Sequence, residues 1–128
     1  MASKKLKPEL GYGRIIWASV RDRRGFRKDR PCIIISRSED IRADRPIAVM
    51  AVTTTFSDPP PHWHVTLPWN NDPRRVVTRL SERSAAVVEW LDWVDPRDVL
   101  DFGGEVPAAK LAEIDRLLKE RAKDVPVD

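Results

Sequence analysis

The sequence predicts a small, mainly β domain: a strongly curved antiparallel sheet with one helix at its C-terminal end. Three observations carry this. Short runs rich in β-branched and aromatic residues recur between residues 13 and 94, with turn residues between them. The one clear helical pattern comes after them, at 107–123. No strand–helix alternation runs through the chain, which argues against a doubly wound parallel sheet and for a half-barrel. A length of 128 residues suits one domain with its own core. We expect that domain over residues 11–123, behind a polar tail at 1–10.

The elements follow in order. GRIIWASV (13–20) reads as a strand. RDRRGFRKDR (21–30) is a basic loop with Gly25 as its turn residue. PCIIIS (31–36) is an apolar run of strand length, buried on both faces. Pro31 is expected to open that strand, because proline cannot donate inside a ladder. Residues 37–45 form a polar connection, and PIAVMAVTTTF (46–56) is the next strand. The prolines of SDPPP (57–61) demand a loop. HWHVTLP (62–68) alternates at period two and reads as a strand; NNDPRR (70–75) is a turn. RSAAVVEWLDWV (83–94) fits a strand or a short helix, and its Val-Val-x-Trp centre leans to strand. DPRDVL (95–100) is a short turn or strand. In PAAKLAEIDRLLKERAK (107–123), Pro107 suits a first helical turn, and Leu111, Ile114, Leu117 and Leu118 form one apolar stripe.

Apolar content of 41% and charged content of 34% favour a globular chain over a disordered one. No apolar run reaches the roughly 20 residues that span a bilayer, so no membrane partner is expected. MASKKLKPEL has no apolar stretch behind its charge, so no signal peptide is expected. The single cysteine, Cys32, excludes an internal disulfide and fits a reducing, cytoplasmic setting. Charge is lopsided. Residues 1–45 carry 13 Lys/Arg against 6 Asp/Glu, a net of +7, while 46–128 carry 10 against 14, a net of −4. A basic half of this kind suits phosphate groups on a partner.

No phosphate-cradling glycine loop, zinc-type cysteine pair or nucleophile elbow is present. Neither a metal nor another cofactor is expected. His62 and His64 form an H-x-H pair that a strand would point to one face, without an evident third ligand for a metal. A half-exposed strand face is the plainer reading of that pair, and acid–base work the sharper one. Asp92, Asp95, Asp98 and Asp101 recur every third residue but flank Pro96, so turn and cap roles are expected. The five tryptophans, Trp17, Trp63, Trp69, Trp90 and Trp93, are expected mostly in the core. Their number also fits a homodimer interface.

GRIIWASV, a basic glycine-containing loop, DRPCIIIS, IAVMAVTTTF, HVTLPW and a final helix from GGEVPAAKLAEIDRLL occur in that order. This arrangement resembles the PemK/MazF family of type II toxins over about residues 11–120. The resemblance implies a small SH3-like barrel of the CcdB/MazF type with a C-terminal helix, working as a homodimer. It implies a growth-inhibiting, metal-independent endoribonuclease that cuts single-stranded RNA at short sequences and is restrained by a cognate antitoxin. Carried over by position, the arginine of the family's Arg-Pro motif is Arg30. The family's threonine is Thr53, with Thr54 its neighbour if the alignment slips by one.

The chemistry of the residues is compatible with that. An arginine fork can stabilise charge on phosphoryl oxygens, and a hydroxyl adds a donor. Arg23, Arg24, Arg27 and Lys28 are expected to hold phosphates, with Phe26 at the loop tip stacking on a base. Arg30 and Thr53 are expected to converge in a groove lined by residues 21–28. Two features depart from the family. GFRKDRP is shorter than the loop of many members and lacks their Glu-Gln pair, and VVEWLDWVD stands where some carry Arg-x-Asp. The general base is therefore open among Asp29, Glu89 and Asp92. Two other readings remain: a non-catalytic RNA- or protein-binding module of this fold, and a CcdB-like gyrase poison that would not need Arg30.

Overall fold

The computed structural model describes residues 10–123. The expected polar tail lies outside them apart from Leu10. Six strands form one antiparallel sheet: β1 (Arg14–Arg21), β2 (Arg27–Ile34), β3 (Ile47–Thr53), β4 (His64–Leu67), β5 (Ser84–Val94) and β6 (Asp101–Glu105). Their order in the sheet is β4-β5-β3-β2-β1-β6. One helix, α1 (Ala108–Lys123), follows. Among the described residues, no helix is long and apolar enough to cross a membrane.

The β1–β2 hairpin is tight because Asp22 organises it. Its Oδ1 accepts from the backbone N–H of Arg24 at 2.9 Å and of Phe26 at 3.0 Å, while Gly25 takes a positive φ of 87°. The basic stretch is therefore not one long loop: β2 begins at Arg27, and Pro31 lies inside the strand opposite Trp17, not at its start. The ladder explains this. Pairing of β2 with β3 stops at Cys32–Ala51, so the nitrogen of Pro31 displaces no bond on that side.

Alternation gives the sheet two buried faces. On one, Ile15, Ile33, Met50, Val52, Val65 and Val88 pack against Ile114 and Leu117 of α1, flanked by Leu111 and Leu118. The apolar stripe read from the sequence is thus the docking face of the helix. On the other, Ile16, Ala18, Val20, Cys32, Ile34, Val49 and Ala51 are covered by Val94, Trp90, Ile41 and Val99.

That second face is covered because β5 bends. It pairs with β3 from Ile47–Val94 to Met50–Leu91 and again at Val52–Ala86 and Thr53–Ala85. Ala51 alone thus stands opposite four residues, Val87, Val88, Glu89 and Trp90. A bulge of this size kinks and coils a strand sharply. Beyond it, Trp90 Nε1 donates to the carbonyl of Arg21 at 2.7 Å, and Asp92 Oδ2 accepts from the N–H of Arg21 at 2.9 Å.

Two expectations change. The tryptophans are not core residues: Trp17, Trp69 and Trp93 are exposed, Trp93 by 66%, and Trp63 and Trp90 are half-buried. A domain this small fills its interior with Ile and Val and leaves rings at its surface. β6, with its two glycines, was not legible as a strand. It exists because its other edge also pairs, with Gly104 N donating to Thr78 O at 3.1 Å and Glu105 N to Val77 O at 2.9 Å. A Cβ on Gly104 would collide with the backbone of Val77 and Thr78, so only glycine lets the two segments meet. We expect Gly104→Ala to cost at least about 2 kcal/mol in urea denaturation. A loss below about 0.5 kcal/mol would show that this contact relaxes freely.

Candidate functional site

The register of β2 and β3 builds the centre of the site. Cys32 faces Ala51, Ile33 faces Met50 and Ile34 faces Val49. The ladder ends at the Cys32–Ala51 pair, two residues short of both Arg30 and Thr53, so alternation puts Arg30 on the face of Cys32 and Thr53 on the face of Ala51 without pairing the two. Both then share the face of Cys32 and Ala51. Lys28 falls on that face too, whereas Arg27 and Asp29 alternate away from it. Arg27 Nη1 donates to the Ser19 carbonyl at 3.3 Å. Arg24 and Phe26 sit at the hairpin tip, where Phe26 is 67% exposed.

Arg30 is held by an aromatic ring. Its guanidinium carbon lies 4.4 Å from the ring centre of Trp90, within cation–π range. Its Nε is shut off from solvent and has no hydrogen-bond partner. A buried, charged donor without a partner is costly to leave unmet. Beneath it, Cys32 Sγ–H donates to the Arg30 carbonyl at 3.7 Å, and burial pushes that thiol up to about 12. Cys32 is therefore an inert floor residue, not a nucleophile. Thr53 Oγ1 accepts from the N–H of Thr55 at 3.1 Å and donates to the Thr55 carbonyl at 3.3 Å, so its hydroxyl must turn from that carbonyl to donate elsewhere. Thr54 follows the strand end and is exposed.

The groove beside this centre has a volume of about 390 Å³ and is lined by Arg21, Asp22, Arg23, Val87, Glu89, Trp90 and Leu91. The start of the basic hairpin supplies one wall: of residues 21–28 only Arg21, Asp22 and Arg23 line it, and Arg30 and Thr53 do not; Arg30 reaches it through its contact with Trp90. β5 supplies the other, which the sequence reading missed. Burial in β5 changes from a continuous run over Ser84–Val88 to alternation from Glu89, but Glu-Trp-Leu-Asp-Trp-Val has no period of two, so the sequence did not mark the bulge. Of the candidate bases, Glu89 lines the groove, Asp29 alternates away, and Asp92 already accepts the Arg21 and Trp93 N–H groups.

The H-x-H pair is split. His62 lies before β4 and pairs with Glu120 of α1 at 2.7 Å, while His64 opens β4. The spaced aspartates are not a row. Asp95 caps the turn at 96–98 and binds the Arg97 guanidinium, which holds its carboxyl down at about 2. Among the described residues, no cluster of His, Cys, Asp or Glu could hold a metal ion.

This geometry can be set beside known proteins. No curated protein sequence is significantly similar to this chain. Among solved structures, MazF from Deinococcus radiodurans superposes with a TM-score of 0.71 at 18% identity, covering 91% of this chain and 99% of that one. An endoribonuclease from Mycobacterial species, in complex with its cognate antitoxin, gives 0.66 at 18% identity over 94% of this chain and 100% of that one. The Mycobacterium tuberculosis toxin MazF-mt6 gives 0.66 at 18% identity over 89% and 99%. These likenesses establish the MazF-type fold, with the sheet curved but not closed. The sequence model of the PemK-like, MazF-like toxins matches residues 12–121. The chain therefore belongs to the PemK-like, MazF-like toxins of type II toxin-antitoxin systems.

Proposed function

We propose that this toxin is an endoribonuclease that cuts single-stranded RNA in the cytoplasm without a metal or other cofactor. The observation that carries the reading is Arg30, seated on Trp90 with an unpartnered Nε, where Trp90 also lines the groove beside the basic hairpin. RNA brings its own nucleophile. The 2′-oxygen bonds to the adjacent phosphorus, the P–O5′ bond breaks, and a 2′,3′-cyclic phosphate and a 5′-hydroxyl result. Negative charge grows on the non-bridging oxygens as this happens. Arg30, always protonated, donates to those oxygens, and Thr53 adds a hydroxyl donor.

Arg23, Arg24 and Lys28 hold flanking phosphates, while Arg27, on the opposite face and bonded to Ser19, could do so only beyond the hairpin edge; Phe26 offers a ring for an unpaired base, and Thr54 borders the strand end. Single-strand preference follows, since only unstacked bases can reach such a ring. The mycobacterial neighbour is an endoribonuclease with a cognate antitoxin, which supports both the activity and an antitoxin partner here. An acidic antitoxin segment would compete with RNA for the same basic face.

Purified protein in EDTA should cleave mixed-sequence single-stranded RNA to cyclic-phosphate ends, and Arg30→Ala should lose at least about 100-fold. The same variant should relieve the growth arrest that the wild type causes. Absence of cleavage at high enzyme concentration would move the reading to a binding module or a gyrase poison.

Trp90 separates two contributions. Trp90→Phe keeps a ring beneath Arg30 but loses the bond to Arg21, so it should cost about 1 kcal/mol of stability and retain most cleavage. Trp90→Ala should approach the Arg30→Ala rate. An unchanged rate in folded Trp90→Ala would show that the stack does not position Arg30.

We also propose that the toxin is a homodimer, because Leu91 and Trp93 stand exposed two residues apart on β5, and Trp17 and Leu100 are exposed as well. Sedimentation equilibrium should give twice the chain mass, and Trp93→Lys should reduce it to one. A wild-type monomer at 100 μM, a concentration of roughly 10⁻⁴ M where even weak dimers form, would remove the dimer.

A further inference from the structure

Asp22 is spent on the hairpin turn, Asp29 alternates away and Asp92 already accepts two N–H groups, so the proton of the attacking 2′-hydroxyl needs another acceptor. We infer that His64 is that acceptor, the general base of this toxin; the inference rests on the ribonuclease reading above.

Position comes first. His64 is the cross-strand neighbour of Val87, and Val87 lines the groove. In the same ladder Thr66 faces Ala85, and Ala85 faces Thr53, so the alternation puts His64, Thr66 and Thr53 on one face. Two strand spacings, roughly 10 Å, separate β4 from β3, a gap that a bound phosphodiester and its ribose can bridge.

The ring is also prepared chemically. Nδ1 is enclosed without a hydrogen-bond partner and the residue is half-buried, so a proton taken from a substrate would enter at Nε2. The Phe56 ring stands 6.1 Å away, and the Arg83 guanidinium lies over that ring at 3.7 Å. Arg83 also donates to the carbonyls of Phe56 and Ser57, tying the segment after Thr53 to the start of β5. His64 thus sits in a built corner and not on a loose strand face.

Burial lowers the His64 pKa, opposed by the negative charge of Glu89 across on β5. The other charged groups around it are Arg83, stacked on Phe56, and His62, which is engaged by Glu120. A lowered value keeps the imidazole neutral at pH 7, the form that accepts a proton. In the step, Nε2 takes the 2′-hydroxyl proton as O2′ bonds to phosphorus and the P–O5′ bond breaks. The departing O5′ takes a proton from water, and His64 returns its own to solvent. His62, the other half of the sequence pair, is occupied and remote in role.

The test is single-turnover cleavage in EDTA from pH 5 to 9 with wild type, His64→Ala, His64→Gln and Glu89→Gln. We expect a wild-type acidic limb below the ordinary histidine value. Both His64 variants should lose about 100- to 1,000-fold in rate with RNA affinity little changed, and the limb should disappear. Added imidazole should restore part of the rate to His64→Ala and none to Arg30→Ala. Undiminished rate and limb in the His64 variants, with wild type active, would overturn the inference; loss of the limb in Glu89→Gln alone would move the base there. A wild type that cleaves nothing would overturn the ribonuclease reading and this inference with it. Should the variants fold poorly, the His64 ring signals in the wild-type NMR spectrum decide: they must report a neutral ring at pH 7 and shift on addition of a 2′-deoxy oligonucleotide of the cleaved sequence. A silent ring would overturn the assignment.

Discussion

The bend in β5 is the constraint on which the site depends. Four residues of β5 stand opposite Ala51, and the strand must turn to absorb the excess. The turn carries Trp90 and Asp92 back onto Arg21, where one donates to its carbonyl and the other accepts from its N–H. Both polar groups of one β1 residue are thereby bound by side chains from the other end of the sheet. The sheet curls without closing, its second apolar face is covered, and the basic hairpin gains an opposing wall. Arg30 then rests on the ring that holds this closure together.

Electrostatics and packing cooperate at that point. A concentration of arginines and lysines on residues 21–30 is repulsive, and among the described residues no salt bridge relieves it; the Asp22 side chain is spent on the turn. The hairpin tolerates this because its tip stays in water, where charges are screened. Arg30 differs, being partly enclosed with a donor unmet.

Much of the fold was legible because periodicity reports burial directly. β1, β3 and α1 follow from the alternation or stripe of their apolar residues, and the identity of the buried helix positions follows with them. β6 was not, because its glycines carry no pattern; they serve the neighbouring backbone of Val77 and Thr78. Pro31 was misplaced since a rule about ladders depends on which edge is paired, and that is a property of the partner strand. The tryptophans were misjudged because hydrophobicity says what a ring prefers, not whether a small core has room for it.

At the site, the sequence determined residue chemistry: an arginine before proline, a threonine at a strand end, a basic turn, two histidines two apart. Those are local facts, set by covalent order and by alternation along one strand. Tertiary structure decided their company. A bulge brought Trp90 beneath the Arg30 guanidinium, and a strand start and a helix divided His64 from His62. Contacts between residues distant in sequence depend on strand order, register and bending. Each of those is set by the whole sheet closing at once, so no single segment records it.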